Sequence, residues 1–251
     1  MKHDPWEDLR KLTHARIALG RAGHSVPTRE LLDFRLAHSR ARDAVWLDVD
    51  FRDIAANLVQ SGVHVFEVES NCRDKQEFLL NPDLGRRLSS NSVATLRASS
   101  KAPPGDCTLV VADGLSANAV HRNATGFCLP FIRNLADKGL RVNEVVLARH
   151  ARVALGDEIG ETLQAKSVLV LIGERPGLAT AESLSVYFTW GPGRGKTDAQ
   201  RNCISNIHAA GLPAAAAASM AAFLVHTSLS RQISGVDLKV EYPAIVPQNP
   251  S

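Results

Sequence analysis

The stretch Val168-Leu169-Val170-Leu171-Ile172-Gly173-Glu174-Arg175-Pro176-Gly177 decides the fold class. Its first five residues are apolar without polar alternation, and they stop abruptly at a glycine, a carboxylate and a guanidinium. A strand that does not alternate must be covered on both faces, which is the usual state inside a parallel sheet. Almost wholly apolar runs also occur at Thr108-Leu109-Val110-Val111 and Glu144-Val145-Val146-Leu147, and Val63-His64-Val65-Phe66-Glu67-Val68 is a further candidate strand. Helical stretches fill the gaps, at residues 83–96, 117–138, 157–165, 198–208 and 213–232, with Pro130 expected to break or kink the second. The alternation predicts an α/β fold with a parallel sheet and flanking helices.

Ahead of this region, Leu31, Phe34, Ala41 and Val45, with His38 between them, recur at helical steps, and Thr28 is placed to cap their helix. Residues 8–20 precede it. Together they predict a small helical N-terminal domain over residues 1–46, followed by the α/β domain over 47–240. The proline-bearing residues 241–251 read as an extended tail.

Composition excludes several classes. The chain has 251 residues, 45% hydrophobic and 22% charged, and a net charge of +3 without a basic block, so neither disorder nor nucleic-acid binding is expected. Cys72, Cys107, Cys128 and Cys203 lie too far apart for a zinc motif or a dense disulfide framework, and read as reduced thiols. The N-terminus places acids and Pro5 where a signal peptide would be apolar, so export by that route is not expected. Residues 209–225 carry no charge, but alanine is weakly apolar and Pro213 opens the run, which predicts a buried helix rather than a membrane span.

Ligands of open α/β sheets sit beyond the carboxyl ends of the strands. That rule selects one rim, made of Asp113-Gly114-Leu115-Ser116, Arg149-His150-Ala151-Arg152-Val153 and Gly173-Glu174-Arg175-Pro176-Gly177. Glu174 is either a hydrogen-bond acceptor for ligand amides or hydroxyls, or an ion-pair partner of Arg175 or of a neighbouring loop. Asp113-Gly114 also suits an ordinary turn.

Other motifs fail. Gly191-Pro192-Gly193-Arg194-Gly195-Lys196-Thr197 ends like a phosphate-binding loop, yet Trp190 stands where its first glycine belongs, so it reads as a turn after a strand at 186–190. No Gly-x-Gly-x-x-Gly follows a strand, no His-Glu-x-x-His occurs, and no protein-ligated metal is expected. Asn206-Ile207-His208-Ala209-Ala210-Gly211 falls one residue short of the Asp-x-His-x-x-Gly motif that supplies an axial histidine to some cobalamin enzymes. Without the aspartate, His208 reads as a helix-terminal histidine.

Five ordered segments, 15–23, 82–88, 113–116, 172–178 and 203–208, resemble the small subunit of ethanolamine ammonia-lyase, and the likeness runs from about residue 4 to residue 236. The resemblance implies a Rossmann-like domain and an adenosylcobalamin-dependent lyase that converts ethanolamine to acetaldehyde and ammonia by a radical mechanism. It further implies a large catalytic subunit as partner in a hetero-oligomer, base-on cobalamin at their interface, and cytoplasmic residence, in some members inside a bacterial microcompartment. The family's cobalamin contacts fall on Val153, Glu174 and Cys203, with no catalytic residue on this chain. Val153 would pack, Glu174 would accept from an amide, and Cys203 would form a small soft wall. Arg152 and Arg175 are candidates for subunit salt bridges. Two other readings remain, a stand-alone hydrolase using Asp113, Ser116 and His150, and a non-catalytic cobalamin carrier.

Overall fold

A computed structural model describes residues 6–13, 15–99, 105–142 and 144–242. After a 3-10 turn at Glu7–Lys11 come α1 (Thr28–Trp46), α2 (Arg52–Gln60), β1 (His64–Glu69), α3 (Lys75–Leu80), α4 (Ser90–Ser99), β2 (Thr108–Ala112) and α5 (Ala117–Ala136). Next are β3 (Glu144–Arg149), α6 (Leu155–Thr162), β4 (Ser167–Gly173), β5 (Leu184–Trp190), β6 (Arg201–Ile207) and α7 (Ala214–Arg231).

The six strands form one sheet in the order β1-β3-β2-β4-β5-β6. The first four run parallel, and every residue of β2 and of β4 is buried, as their apolar runs require. β5 and β6 each pair antiparallel with their neighbours, so the α/β fold has a mixed sheet rather than the parallel, Rossmann-like sheet expected, and only β1 to β4 run parallel. The cause is connection length. Ten residues link β4 to β5 and ten link β5 to β6, fewer than a crossover helix needs.

One face of the sheet is covered by α2, α5 and α7, whose buried side chains form the larger core. The alanines Ala217, Ala218, Ala221 and Ala222 are fully buried, so the uncharged stretch is the buried helix expected, lying against α5 through small side chains. No helix of the described residues is long and apolar enough to cross a membrane. α4 and α6 cover the other face over β1, β3, β2 and β4. There the outer strands β5 and β6 leave Cys203 and Ser205 exposed.

Several local expectations change. Pro130 lies inside α5 without breaking it, at the cost of the donor for the Gly126 carbonyl. The helix expected at 83–96 splits into a 3-10 turn at Leu84–Arg86 and α4, because Leu88 bridges Ser70 and Ser89 N–H bonds the Glu69 carbonyl. The stretch 198–208 is a 3-10 turn followed by β6, not a helix. A bulge causes the resemblance: Ser205 and Asn206 together oppose Ser185, with Asn206 at φ 63°, so Ile204 and Ile207 both face the core three positions apart. That spacing mimics a helix.

Pro27, not Thr28, occupies the N-cap of α1, and only Ala44 of that helix is buried. The chain before it forms a 3-10 turn rather than a longer helix. The expected tail lies outside the described residues from position 243 onward, while Tyr242 rests against Phe223 with ring centroids 6.4 Å apart.

Candidate functional site

The loops that follow β2 and β4 meet at the C-terminal rim of the parallel strands. Gly114, at φ +56°, and Gly173 abut: a Cβ on Gly114 would lie 2.2 Å from the Gly173 carbonyl oxygen. Only glycine permits that approach. The Leu115 N–H then bonds the same oxygen at 2.9 Å.

Asp113 is the rim's anchor. Its buried carboxylate accepts from the His150 N–H through Oδ2 and from the Ala151 N–H through Oδ1, each at 2.9 Å, and lies 3.6 Å from the Lys75 ammonium. The carboxylate therefore fixes the turn after β3, where His150 adopts φ 51°, and sets where Arg152 and Val153 project. Lys75 also donates to the Gly114 carbonyl at 3.2 Å.

These contacts dismantle the proposed hydrolytic trio. Asp113 engages the His150 backbone rather than its imidazole, whose Nε2 lies 3.8 Å from Asp48. Ser116 caps α5 by accepting from the Ala119 N–H and gives its own proton to the Ala181 carbonyl. No Ser-His-Asp relay exists among them.

Glu174, Cys203 and a residue not anticipated from sequence come together on the uncovered face. The Tyr187 hydroxyl donates to Glu174 Oε1 at 3.0 Å, in place of the ion pair with Arg175 that the sequence allowed. Tyr187 and Cys203 are register partners across β5 and β6. Val153 lies in the turn before α6, one residue ahead of its N-cap Ala154, and packs against the smaller core, as Tyr187 does. Burial, and the adjacent Glu174 carboxylate, push the Tyr187 phenol above its ordinary pKa, so it remains a donor. Burial likewise raises the Cys203 thiol, with Glu174 adding to the effect and Tyr187 opposing it. On the same face the Ser185 hydroxyl is buried without a hydrogen-bond partner among the described residues. Sequence reasoning missed Tyr187, whose only signal was a polar-tipped aromatic inside an apolar strand.

Beneath this face α6 is pinned by buried charge: Asp157 pairs with Arg201, and Glu158 pairs with Arg194 and accepts from the Leu88 N–H. The glycine-rich stretch 191–197 is the β5–β6 connection, with Arg194 and Gly195 exposed. His208 follows the end of β6 rather than closing a helix, and its Nε2 is held 2.8 Å from Asn206 Oδ1. Among the described residues no three His, Cys, Asp or Glu side chains cluster as a metal site.

The sequence profile of the family described as ethanolamine ammonia-lyase light chain (EutC) matches residues 3–239. Proteins named ethanolamine ammonia-lyase small subunit from Pseudomonas syringae pv. tomato and Pseudomonas putida are each 49% identical to this chain over 240 residues, covering 95% of it and 84% and 88% of their own lengths. The protein of that name from Rhodopseudomonas palustris is 49% identical over 232 residues, covering 92% of this chain and 88% of its own.

Proposed function

The chain belongs to the ethanolamine ammonia-lyase light-chain family, and from that premise we propose that it is the cofactor-contacting small subunit of an adenosylcobalamin-dependent enzyme converting ethanolamine to acetaldehyde and ammonia. Its partner is the large subunit, without which it has no turnover, and the cofactor lies at the interface. The observation that supports the cofactor role most directly is the open β5–β6 face, where Cys203 is exposed beside the Glu174–Tyr187 pair; Val153 packs, like Tyr187, against the smaller core.

The residues present suit a corrinoid. A corrin offers a broad, partly apolar surface fringed with amides, which asks for flat packing and a few fixed acceptors rather than protein metal ligands. Glu174 Oε2 has no protein partner among the described residues, while Oε1 is held by Tyr187. Val153 and Cys203 give small apolar contacts where bulkier side chains would hold the ring away. When bound, adenosylcobalamin supplies the cobalt–carbon bond whose homolysis starts radical chemistry; the chain's own part is to position and to exclude water. His208, held by Asn206, is not offered as an axial ligand, which agrees with a base-on cofactor.

The test is co-expression with the large subunit, followed by size measurement and a cobalamin absorbance titration. Binding only in the complex supports the proposal, and loss of affinity in Glu174→Gln ties it to this face. Turnover by the isolated chain would overturn the subunit reading, and tight cobalamin binding by the isolated chain would favour a carrier.

A further inference from the structure

The exposed apolar side chains are concentrated near one end of the chain. Among the described residues fourteen large hydrophobic side chains are exposed, and ten of them lie between Trp6 and Leu47. α1 is the centre of this surface: of its nineteen residues only Ala44 is buried, and no side chain caps it at Pro27. A helix of that length is marginal in water by itself and ordinarily owes its stability to an apolar face packed on something else. Leu32 and Leu36, 57% and 49% exposed, stand four positions apart and so share one ridge. The Arg10–Glu30 ion pair, at 3.3 Å, holds the preceding 3-10 turn, with its exposed Leu9, against the first turn of α1. Apolar surface gathered in this way marks a site of protein association.

Charge says what kind of partner this surface takes. Residues 6–47 carry eight Lys or Arg against five Asp or Glu, while the rest of the chain carries twenty-one of each, so the segment holds the whole net charge of +3. Arg35 and Arg40 are exposed on α1 and make no ion pair among the described residues. A second copy docked here about a two-fold axis would set this basic surface against itself, and like charges brought face to face are costly. The surface therefore fits a different chain, one that offers an apolar groove edged with carboxylates. α1 also ends with Trp46 beside the loops after β3 and β4, so its exposed side adjoins the side of the molecule on which the large subunit is placed above.

We propose that α1, with the 3-10 turn before it, is a docking helix for the large subunit, its Leu32–Leu36 ridge entering an apolar groove of that chain while Arg35 and Arg40 meet carboxylates at the groove's edge. The surface presupposes the subunit reading above and adds to it a contact region separate from the β5–β6 face. A helix laid into a groove through residues four apart is a common mode of recognition. The two kinds of side chain then have separable parts. Exposed guanidiniums steer the encounter and set the association rate, whereas apolar anchors that become buried set the dissociation rate.

The experiment measures association and dissociation rates between the large subunit and the full chain as wild type, as Leu32→Ser with Leu36→Ser, and as Arg35→Glu with Arg40→Glu. All four residues are exposed, so thermal unfolding of each free variant should match wild type. The leucine pair should speed dissociation about tenfold or more with little change in association. The arginine pair should slow association about tenfold at low salt and remove most of its salt dependence. Wild type and both variants binding alike would overturn the docking surface and leave the subunit reading intact, and a wild-type chain that does not bind the large subunit overturns both. Self-association of the free chain that the leucine pair abolishes, or binding to phosphatidylglycerol vesicles that the arginine pair abolishes, with large-subunit binding unaffected, would give the surface to a second copy or to a membrane and overturn the proposal.

Discussion

The Tyr187 hydroxyl donates to Glu174 Oε1 at 3.0 Å, so the first residue after β4 is oriented by the strand that returns antiparallel beside it. This relationship lies in the mixed half of the sheet, where Tyr187 pairs in register with Val170 of β4 and with Cys203 of β6. Removing only the hydroxyl, as in Tyr187→Phe, should weaken cobalamin binding to the assembled complex about three- to tenfold and change unfolding free energy by about 1 kcal/mol or less. Absorbance titration and urea unfolding of the same preparation check both. Unchanged affinity would mean that Glu174 is oriented without Tyr187.

Cys203 should be the thiol that reacts first in the native chain. Cys107 and Cys128 are fully buried and their pKa values are pushed up to about 12 by burial, whereas Cys203 is exposed as a residue. Its own pKa is also raised, by burial and by Glu174, which lowers the thiolate fraction at neutral pH. Alkylation at Cys203, read by mass spectrometry, should therefore accelerate about tenfold per pH unit and keep rising past pH 8.5, where a free cysteine levels off. A plateau below pH 8 would contradict this environment. Cobalamin bound in the complex should protect the same residue.

The buried thiols also predict alkaline weakening. For Cys107 and Cys128 the folded pKa, about 12, lies above the ordinary value of 9.0, so the folded state retains a proton that the unfolded state releases. Their contribution is intact below pH 9 and is lost as pH rises from there toward 12, by roughly 1 kcal/mol per thiol per pH unit. Urea unfolding at pH 9 and 10.5 should show the decline, and Cys128→Ala should make it shallower.

Legibility in the sequence followed how local each signal was. β2 and β4 were readable because burial on both faces leaves an unbroken apolar run, and α7 because Pro213 and uncharged alanines specify a buried helix locally. Strand direction is not written in a strand's own residues, so β5 and β6 could not be oriented from Val186 or Ile204. The bulge at Ser205 and Asn206 reset the strand period and made β6 look helical. With β6 misread, the register that sets Cys203 beside Tyr187 had no way to emerge, and Cys203 entered only through family resemblance. The Glu174 rim position came from chain order alone, while its partner required a fold.

Asp113 gives the most demanding stability test, because its carboxylate serves three groups at once: the N–H of His150, the N–H of Ala151 and the Lys75 ammonium. Asp113→Ala leaves a buried ammonium and two buried N–H donors without their acceptor, which should cost about 3 to 5 kcal/mol, or on the order of 10 °C in Tm. Replacing Lys75 as well, in Asp113→Ala with Lys75→Met, removes the orphaned charge but not the orphaned N–H groups. The double variant should therefore recover part of the lost stability and remain below wild type, a non-additivity expected only of residues in one network. Corrinoid binding should not recover with it, because the turn that carries Arg152 and Val153 is held by the carboxylate and not by the ammonium. Full additivity in thermal unfolding would mean that Lys75 and Asp113 act independently, and recovery of both properties together would mean that the charge pair, rather than the backbone clasp, sets the rim.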